Sequence, residues 1–169
     1  CWALSAMGYN VRGTKITGSA SLQDILHMND AGANPYLDFT HLGYPSTYML
    51  PEDELLDIFN KIDLKYCNSP SNYWVVEISD GIGQRETAML LNSEDVKSRI
   101  DILVFAAGDA FGAIGGLQVL KERFSLEPDA ISGVCSSSPL HIRELESHTS
   151  FPVFNSVAPD LKLLADILL

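Results

Sequence analysis

Short apolar, β-rich runs recur along this chain with helical patterns between them, and that alternation constrains its fold more than any other feature. The runs are Val11–Ile16, Tyr36–Phe39, Tyr73–Ile78, Ile102–Ala107, Ala130–Val134 and Pro152–Asn155. Between them, Leu22–Ala31 reads as a short helix that ends at Gly32. Pro51–Leu64 has Pro in its first turn, Glu52, Asp53 and Glu54 near the positive end of its dipole, and Leu55, Leu56, Ile58 and Phe59 on one side. Gln84–Leu91, Phe111–Phe124, Pro139–Glu146 and Pro159–Leu169 complete the set. The order predicts an α/β fold with a mostly parallel sheet and helices on both faces. Tyr73–Ile78 and Ile102–Ala107 are nearly continuous in apolar residues, which predicts central strands.

A chain of 169 residues reads most simply as one domain with a real core. The hydrophobic fraction of 46% is that of an ordinary globular protein, and no apolar run reaches the ~18 residues of a membrane span. A formal charge of −11 argues against nucleic acid, which needs a basic face. Cys1, Cys67 and Cys135 are widely spaced and odd in number, which fits reduced thiols in a cytoplasmic protein better than a disulfide framework. The start lacks the basic n-region of a signal peptide. Cys1–Met7 reads as the last two turns of a helix closed by Gly8, with Asn10–Ile16 as the next strand, so the chain is expected to open inside a β-α-β unit.

The densest chemistry lies in Tyr73–Glu86, where Glu77 and Asp80 end a strand before the turn Gly81-Ile82-Gly83. Ligands of open α/β sheets bind beyond the C-terminal strand ends, so these acids either hold a metal ion or water there, or close the strand as solvated polar residues. The other expected strand ends carry Thr17-Gly18-Ser19, Thr40-His41-Leu42-Gly43, Gly108-Asp109 and Cys135-Ser136-Ser137-Ser138-Pro139. In a parallel sheet these loops share one edge, and their convergence is the stronger argument for a site.

Lys15 is a cation near a strand end, suited to phosphate oxygens or to guarding an edge strand. Asp38, between Leu37 and Phe39, either shares magnesium with Glu77 or caps the Thr40–Gly43 turn. Asp38–Met49 is the longest irregular stretch, and loops of such length are often functional. Gly108, Gly112, Gly115 and Gly116 have the wrong spacing for a dinucleotide fingerprint and fit close helix–sheet packing better. The histidines show no metal spacing, and only His41 shares a candidate loop. No Gly-x-Ser-x-Gly elbow occurs, and Ser136–Ser138 reads as a helix cap or an anion-contacting turn.

Lys15-Ile-Thr-Gly-Ser19, Asp30–Ala33, Leu37–Thr40, Pro45–Tyr48 and above all Val76–Ala88 resemble an uncharacterised family of prokaryotic P-loop proteins. That family is similar to dethiobiotin synthetase and the MobB-type proteins. The resemblance implies a P-loop-like three-layer sandwich in which Lys15 contacts phosphate or the reacting group while Asp38 and Glu77 hold magnesium. Two departures stand against it. Dethiobiotin synthetase has Glu-Gly-x-Gly-Gly where this chain has Glu77-Ile-Ser-Asp-Gly-Ile-Gly83, and Gly-x-x-x-x-Gly-Lys-Ser/Thr is nowhere in the chain. The family places that loop immediately before the helix read at Cys1–Met7, so the expectation is an incomplete domain with its phosphate loop upstream.

The function expected from this likeness is magnesium-dependent binding of ATP or GTP to activate a small carboxylate substrate. Lys15 and Asp80 would be catalytic. Thr17, Ser19, Thr40, His41, Gly81, Gly83, Ser136, Ser137 and Pro139 would contact nucleotide or substrate. The alternatives are a nucleotide- or metabolite-responsive module without turnover and, ranked lower, an acyl-CoA-dependent N-acyltransferase. The partner is expected to be a small molecule, with neither nucleic acid nor membrane, and a homo-oligomer is left open.

Overall fold

The computed structural model describes residues 1–66 and 73–169; Cys67 lies outside the described residues. The chain divides into two compact units, Cys1–Lys97 and Ser98–Leu169.

The first unit contains α1 (Trp2–Ala6), β1 (Val11–Lys15), α2 (Leu22–Asp30), β2 (Ala33–Asp38), a 3-10 turn (Phe39–Leu42), α3 (Glu52–Tyr66), β3 (Tyr73–Glu77), α4 (Arg85–Asn92) and α5 (Glu94–Lys97). Its three strands are parallel in the order β2-β1-β3. Parallel neighbours need crossover connections, and α2 and α3 supply them. Central position falls to β1, with Tyr73–Glu77 beside it, so within this sheet the apolar run at β3 is not the middle strand. The strand β2 begins three residues earlier than its apolar run and includes Pro35. Proline has no N–H for a ladder, and among the described residues β2 pairs only with β1, so its other edge makes no such demand there.

Alternation along β1 decides what covers each face. A Cβ on Gly13 would stand 3.1 Å from Met28, and Lys15 pairs with Asp24, so this face receives α2. The other face receives α3. Ile16, Leu37 and Phe39 pack there with Leu55, Ile58, Phe59 and Ile62, and Leu90 and Val96 close the cluster. The Pro51–Leu64 expectation is met because the apolar positions repeat with helical spacing and the acidic first turn suits the dipole. On the same face Arg12 lies 4.6 Å over the Trp74 ring and 3.3 Å from Asp63, while Trp74 Nε1 donates to Thr14 Oγ1 at 2.8 Å.

The second unit contains β4 (Val104–Ala106), α6 (Ala110–Phe124), β5 (Ala130–Ser132), a 3-10 turn (Val134–Ser136), α7 (Pro139–Glu146) and α8 (Leu161–Leu168). The strands β4 and β5 are parallel, with α6 as their crossover. The expected strand Ile102–Ala107 shortens to three residues, and Val104 is 40% exposed, unlike a central strand. The run Pro152–Asn155 contributes a single bridge from Val153 to Ile131, with Ile131 N–H donating to Pro152 O at 2.8 Å. Ala110, Ala113, Ile131, Cys135, Leu145 and Val153 form the core of this unit. Among the α6 glycines, Gly116 explains itself by packing: a Cβ there would lie 2.4 Å from the Phe105 ring. Gly115 faces open space, and Gly112 meets only the Asp109 carboxylate that caps its N–H.

Both units are therefore α/β with parallel strands. No helix among the described residues is long and apolar enough to cross a membrane.

Candidate functional site

Asp38, Lys15 and Glu77 stand side by side across the first sheet. Lys15 pairs in register with Asp38 on β2 and with Glu77 on β3. The three residues singled out on separate strands thus form one row at the C-terminal edge. Their side chains have separate partners. Lys15, only 6% exposed, pairs with Asp24 of α2, and its Nζ lies 3.5 Å from Ser19 O. The Asp38 carboxylate, 1% exposed, accepts from Thr40 N–H at 3.0 Å and from the Thr40 hydroxyl, with His41 Nδ1 3.1 Å from the same oxygen. That is a cap on the 3-10 turn, and it occupies Thr40 and His41 as well. Glu77 accepts from the Ser79 hydroxyl at 3.0 Å.

The loops after the three strands are stitched together above this row. Thr17 Oγ1 accepts from Ser79 N–H at 2.9 Å and lies 3.1 Å from Ser79 O, tying the β1 loop to the β3 loop. Thr87 Oγ1 donates to Ser79 O at 2.6 Å, which anchors the start of α4 there. The β2 loop is held through Gly18. Gly18 N–H donates to Thr47 Oγ1 at 2.9 Å, and Gly18 O accepts from Thr47 N–H at 2.9 Å and from Ser46 Oγ at 3.2 Å. Gly18 has φ +112, and a Cβ would meet Lys15 Cε at 3.2 Å, so only glycine suits this position.

A second clasp holds the far end of the same loop. Met49 N–H donates to Glu86 Oε1 at 2.8 Å, while Arg85 Nη1 donates to Leu50 O at 2.8 Å and to Glu86 Oε1 at 3.0 Å. Burial alone would raise the Glu86 pKa. The N–H groups of Glu86 and Met49 and the Arg85 guanidinium outweigh it and hold the carboxyl below its usual range. Met49 has φ 62, a conformation a side chain of this size rarely adopts, and Asp80 has φ 71, which aspartate tolerates better.

These segments enclose a cleft of about 270 Å³ lined by Gly18, Ser19, Ser46, Thr47, Tyr48, Asp80, Gln84 and Glu86. Of the residues singled out from the sequence, Ser19 and Asp80 line it directly. Thr17 ties the β1 loop to the β3 loop and Lys15 lies behind Gly18, while Asp38 and Glu77, like these two, are not among the lining residues. Gly81 O accepts from Gln84 N–H at 2.8 Å, forming the turn that with Gly83 leads into α4. Thr40 and His41 belong to the Asp38 cap and are not among the lining residues. Ser136, Ser137 and Pro139 lie in the second unit. There Ser136 Oγ donates to Gly133 O at 2.9 Å, Ser137 closes the 3-10 turn and Pro139 starts α7 behind the Ser138 cap. A larger cavity of about 400 Å³ in the second unit, between α6 and His148–Phe151, touches none of these residues.

Glu86, Gln84 and Asp24 were not singled out from the sequence. A carboxylate in the first turn of a helix reads as a dipole partner, as Glu86 and Asp24 both do. The one available signal was the placement of Glu86 inside the Val76–Ala88 segment. The chain matches no family model, no curated protein and no solved structure.

Proposed function

We propose that the first unit binds a magnesium–nucleotide complex at the C-terminal edge of its sheet and uses it to activate a small carboxylate substrate, in a domain of the P-loop-like sandwich class. The observation that carries this reading is the in-register row Asp38–Lys15–Glu77 at the C-terminal ends of the strands, whose following loops line a cleft that the three side chains themselves do not line. Parallel α/β sheets bind ligands at this edge.

Asp38 and Glu77 are hard oxygen donors of the kind magnesium takes. No cluster of three or more His, Cys, Asp or Glu suited to a metal occurs among the described residues. Magnesium does not need one, because it commonly uses one or two carboxylates together with phosphate oxygens and water. Asp38 has one oxygen committed to Thr40 and His41, which fixes its orientation. Magnesium, when bound, would offset phosphate charge. Lys15 would add a fixed positive charge behind Gly18, partly offset by Asp24. Asp80, exposed on its left-handed turn, would orient water or substrate. Among the described residues the lining of the cleft includes no lysine or arginine, so phosphate charge there would be met by magnesium.

Isothermal titration of the protein with ATP, GTP and acetyl-CoA, each with and without magnesium, tests the proposal. Magnesium-dependent ATP or GTP binding that Glu77→Gln abolishes is the expected result. Binding of acetyl-CoA alone, or nucleotide binding indifferent to both magnesium and Glu77, would overturn it.

A further inference from the structure

Tyr48 is 77% exposed and stands between the two clasps described above. On one side Ser46 and Thr47 are bonded to Gly18, and on the other Met49 and Leu50 are bonded to Glu86 and Arg85. Tyr48 N–H donates to Ser46 Oγ at 3.1 Å, which fixes its own backbone. Among the described residues, its ring and hydroxyl have no hydrogen bond, ion pair or ring contact. A large side chain is thus held out to solvent by a backbone that is bonded at every neighbouring position.

The strain at Met49 makes this arrangement specific. A non-glycine residue in the left-handed region is disfavoured and persists only where its surroundings over-determine it, as they do in ligand clamps. Here the determinant is the Glu86 carboxylate, 8% exposed, on the Met49 N–H. With the backbone fixed, only the two side-chain torsions of the tyrosine remain to be ordered when something packs on its ring, which keeps the entropy cost of that contact low. The cleft beside it is about 270 Å³. That is just below the roughly 300–1,000 Å³ of ligand pockets, so a nucleotide-sized ligand would overflow it onto the neighbouring surface.

We infer that Tyr48 is the platform on which a planar heteroaromatic ring of the ligand stacks, and that Glu86 is the positioning residue that holds the platform in place. This rests on the nucleotide reading and adds the contact that reads the base. A tyrosine face accepts any flat ring, so the contact supplies affinity with little base selectivity.

The test compares Mg·ATP with Mg·tripolyphosphate, which lacks the ring, on the protein and its Tyr48→Ala, Tyr48→Phe, Glu86→Ala and Glu86→Gln variants. Tyr48→Ala should weaken ATP binding about 5- to 100-fold and leave tripolyphosphate binding as it was. Tyr48→Phe should retain ATP affinity. Glu86→Ala should copy Tyr48→Ala, and Glu86→Gln should largely restore ATP binding because its amide oxygen still accepts from Met49 N–H. ATP binding unchanged in Tyr48→Ala, or falling in step with tripolyphosphate, would overturn the inference and leave the nucleotide reading standing. A protein that binds no nucleotide would remove the nucleotide reading and the inference together.

Discussion

Lys15, buried at the end of β1, is paired with Asp24 of α2 and not with either carboxylate beside it in the sheet. The pair ties the central strand to the helix that covers it, and Ser21 Oγ donates to the other Asp24 oxygen at 3.1 Å. Asp24→Asn would leave the buried ammonium without its counter-charge. We expect a loss of about 2 kcal/mol, read by urea denaturation.

The same pair predicts an acid response. The hydrogen bond from Lys15 holds the Asp24 carboxyl below its ordinary 3.8, against the opposing effect of burial. A carboxyl depressed in the folded state contributes stability that is present above 3.8 and lost as pH falls through the folded value. Asp24→Asn should therefore flatten part of the acid limb of the stability profile. A variant whose stability falls below 3.8 as steeply as the wild type would contradict this.

Glu86 should govern the Met49 amide. Its Oε1 accepts from that N–H at 2.8 Å, and the site is nearly buried. Glu86→Ala should speed Met49 amide hydrogen exchange by about tenfold or more and cost roughly 1–3 kcal/mol. Glu86→Gln should keep most of the protection.

Asp38 and Glu77 should differ in what they contribute to the ligand-free protein. Asp38 caps the Phe39–Leu42 turn, so Asp38→Asn should cost about 1 kcal/mol by thermal denaturation even without ligand. Glu77 is only half-buried and bonded to the neighbouring Ser79 hydroxyl. Glu77→Gln should leave the ligand-free melting temperature within about a degree or two of wild type, since surface changes of this kind are usually within roughly 0.5 kcal/mol.

Two glycines of the second unit should respond in opposite directions to alanine. Gly133 has φ +100, and a Cβ there would lie 2.7 Å from Ala107 O, a backbone atom that cannot swing aside. Gly133→Ala should cost at least ~2 kcal/mol. Gly115 lies inside α6 with open space around it, and Gly115→Ala should stabilise by about 0.5–1 kcal/mol. Circular dichroism melts of the two variants give both signs.

Local chemistry made much of the fold legible. Ser138 and Pro139 start α7 as the Ser136–Pro139 run suggests, whereas the capping of α6 by Asp109 is apparent only in the structure. The strands β1 and β3 end at Lys15 and Glu77, one residue before the close of the expected runs Val11–Ile16 and Tyr73–Ile78. The reading that Asp38 caps its turn was open in the sequence, and the hydrogen bonds to Thr40 show that it does so. The four-residue helix α5 and the true length of β4 were missed, because such short segments carry no usable periodicity.

Sequence by itself determined the alternation of strands and helices and the placing of Lys15, Asp38 and Glu77 each near a strand end, because each depends on neighbours a few residues away. Tertiary structure alone decided that β1 is the central strand of its sheet, that Lys15 answers to Asp24, and that Glu86 clasps Met49 across 37 positions of chain. Those outcomes depend on which distant segments meet after loop closure. Hydrophobic periodicity draws such segments together without naming the partner atoms.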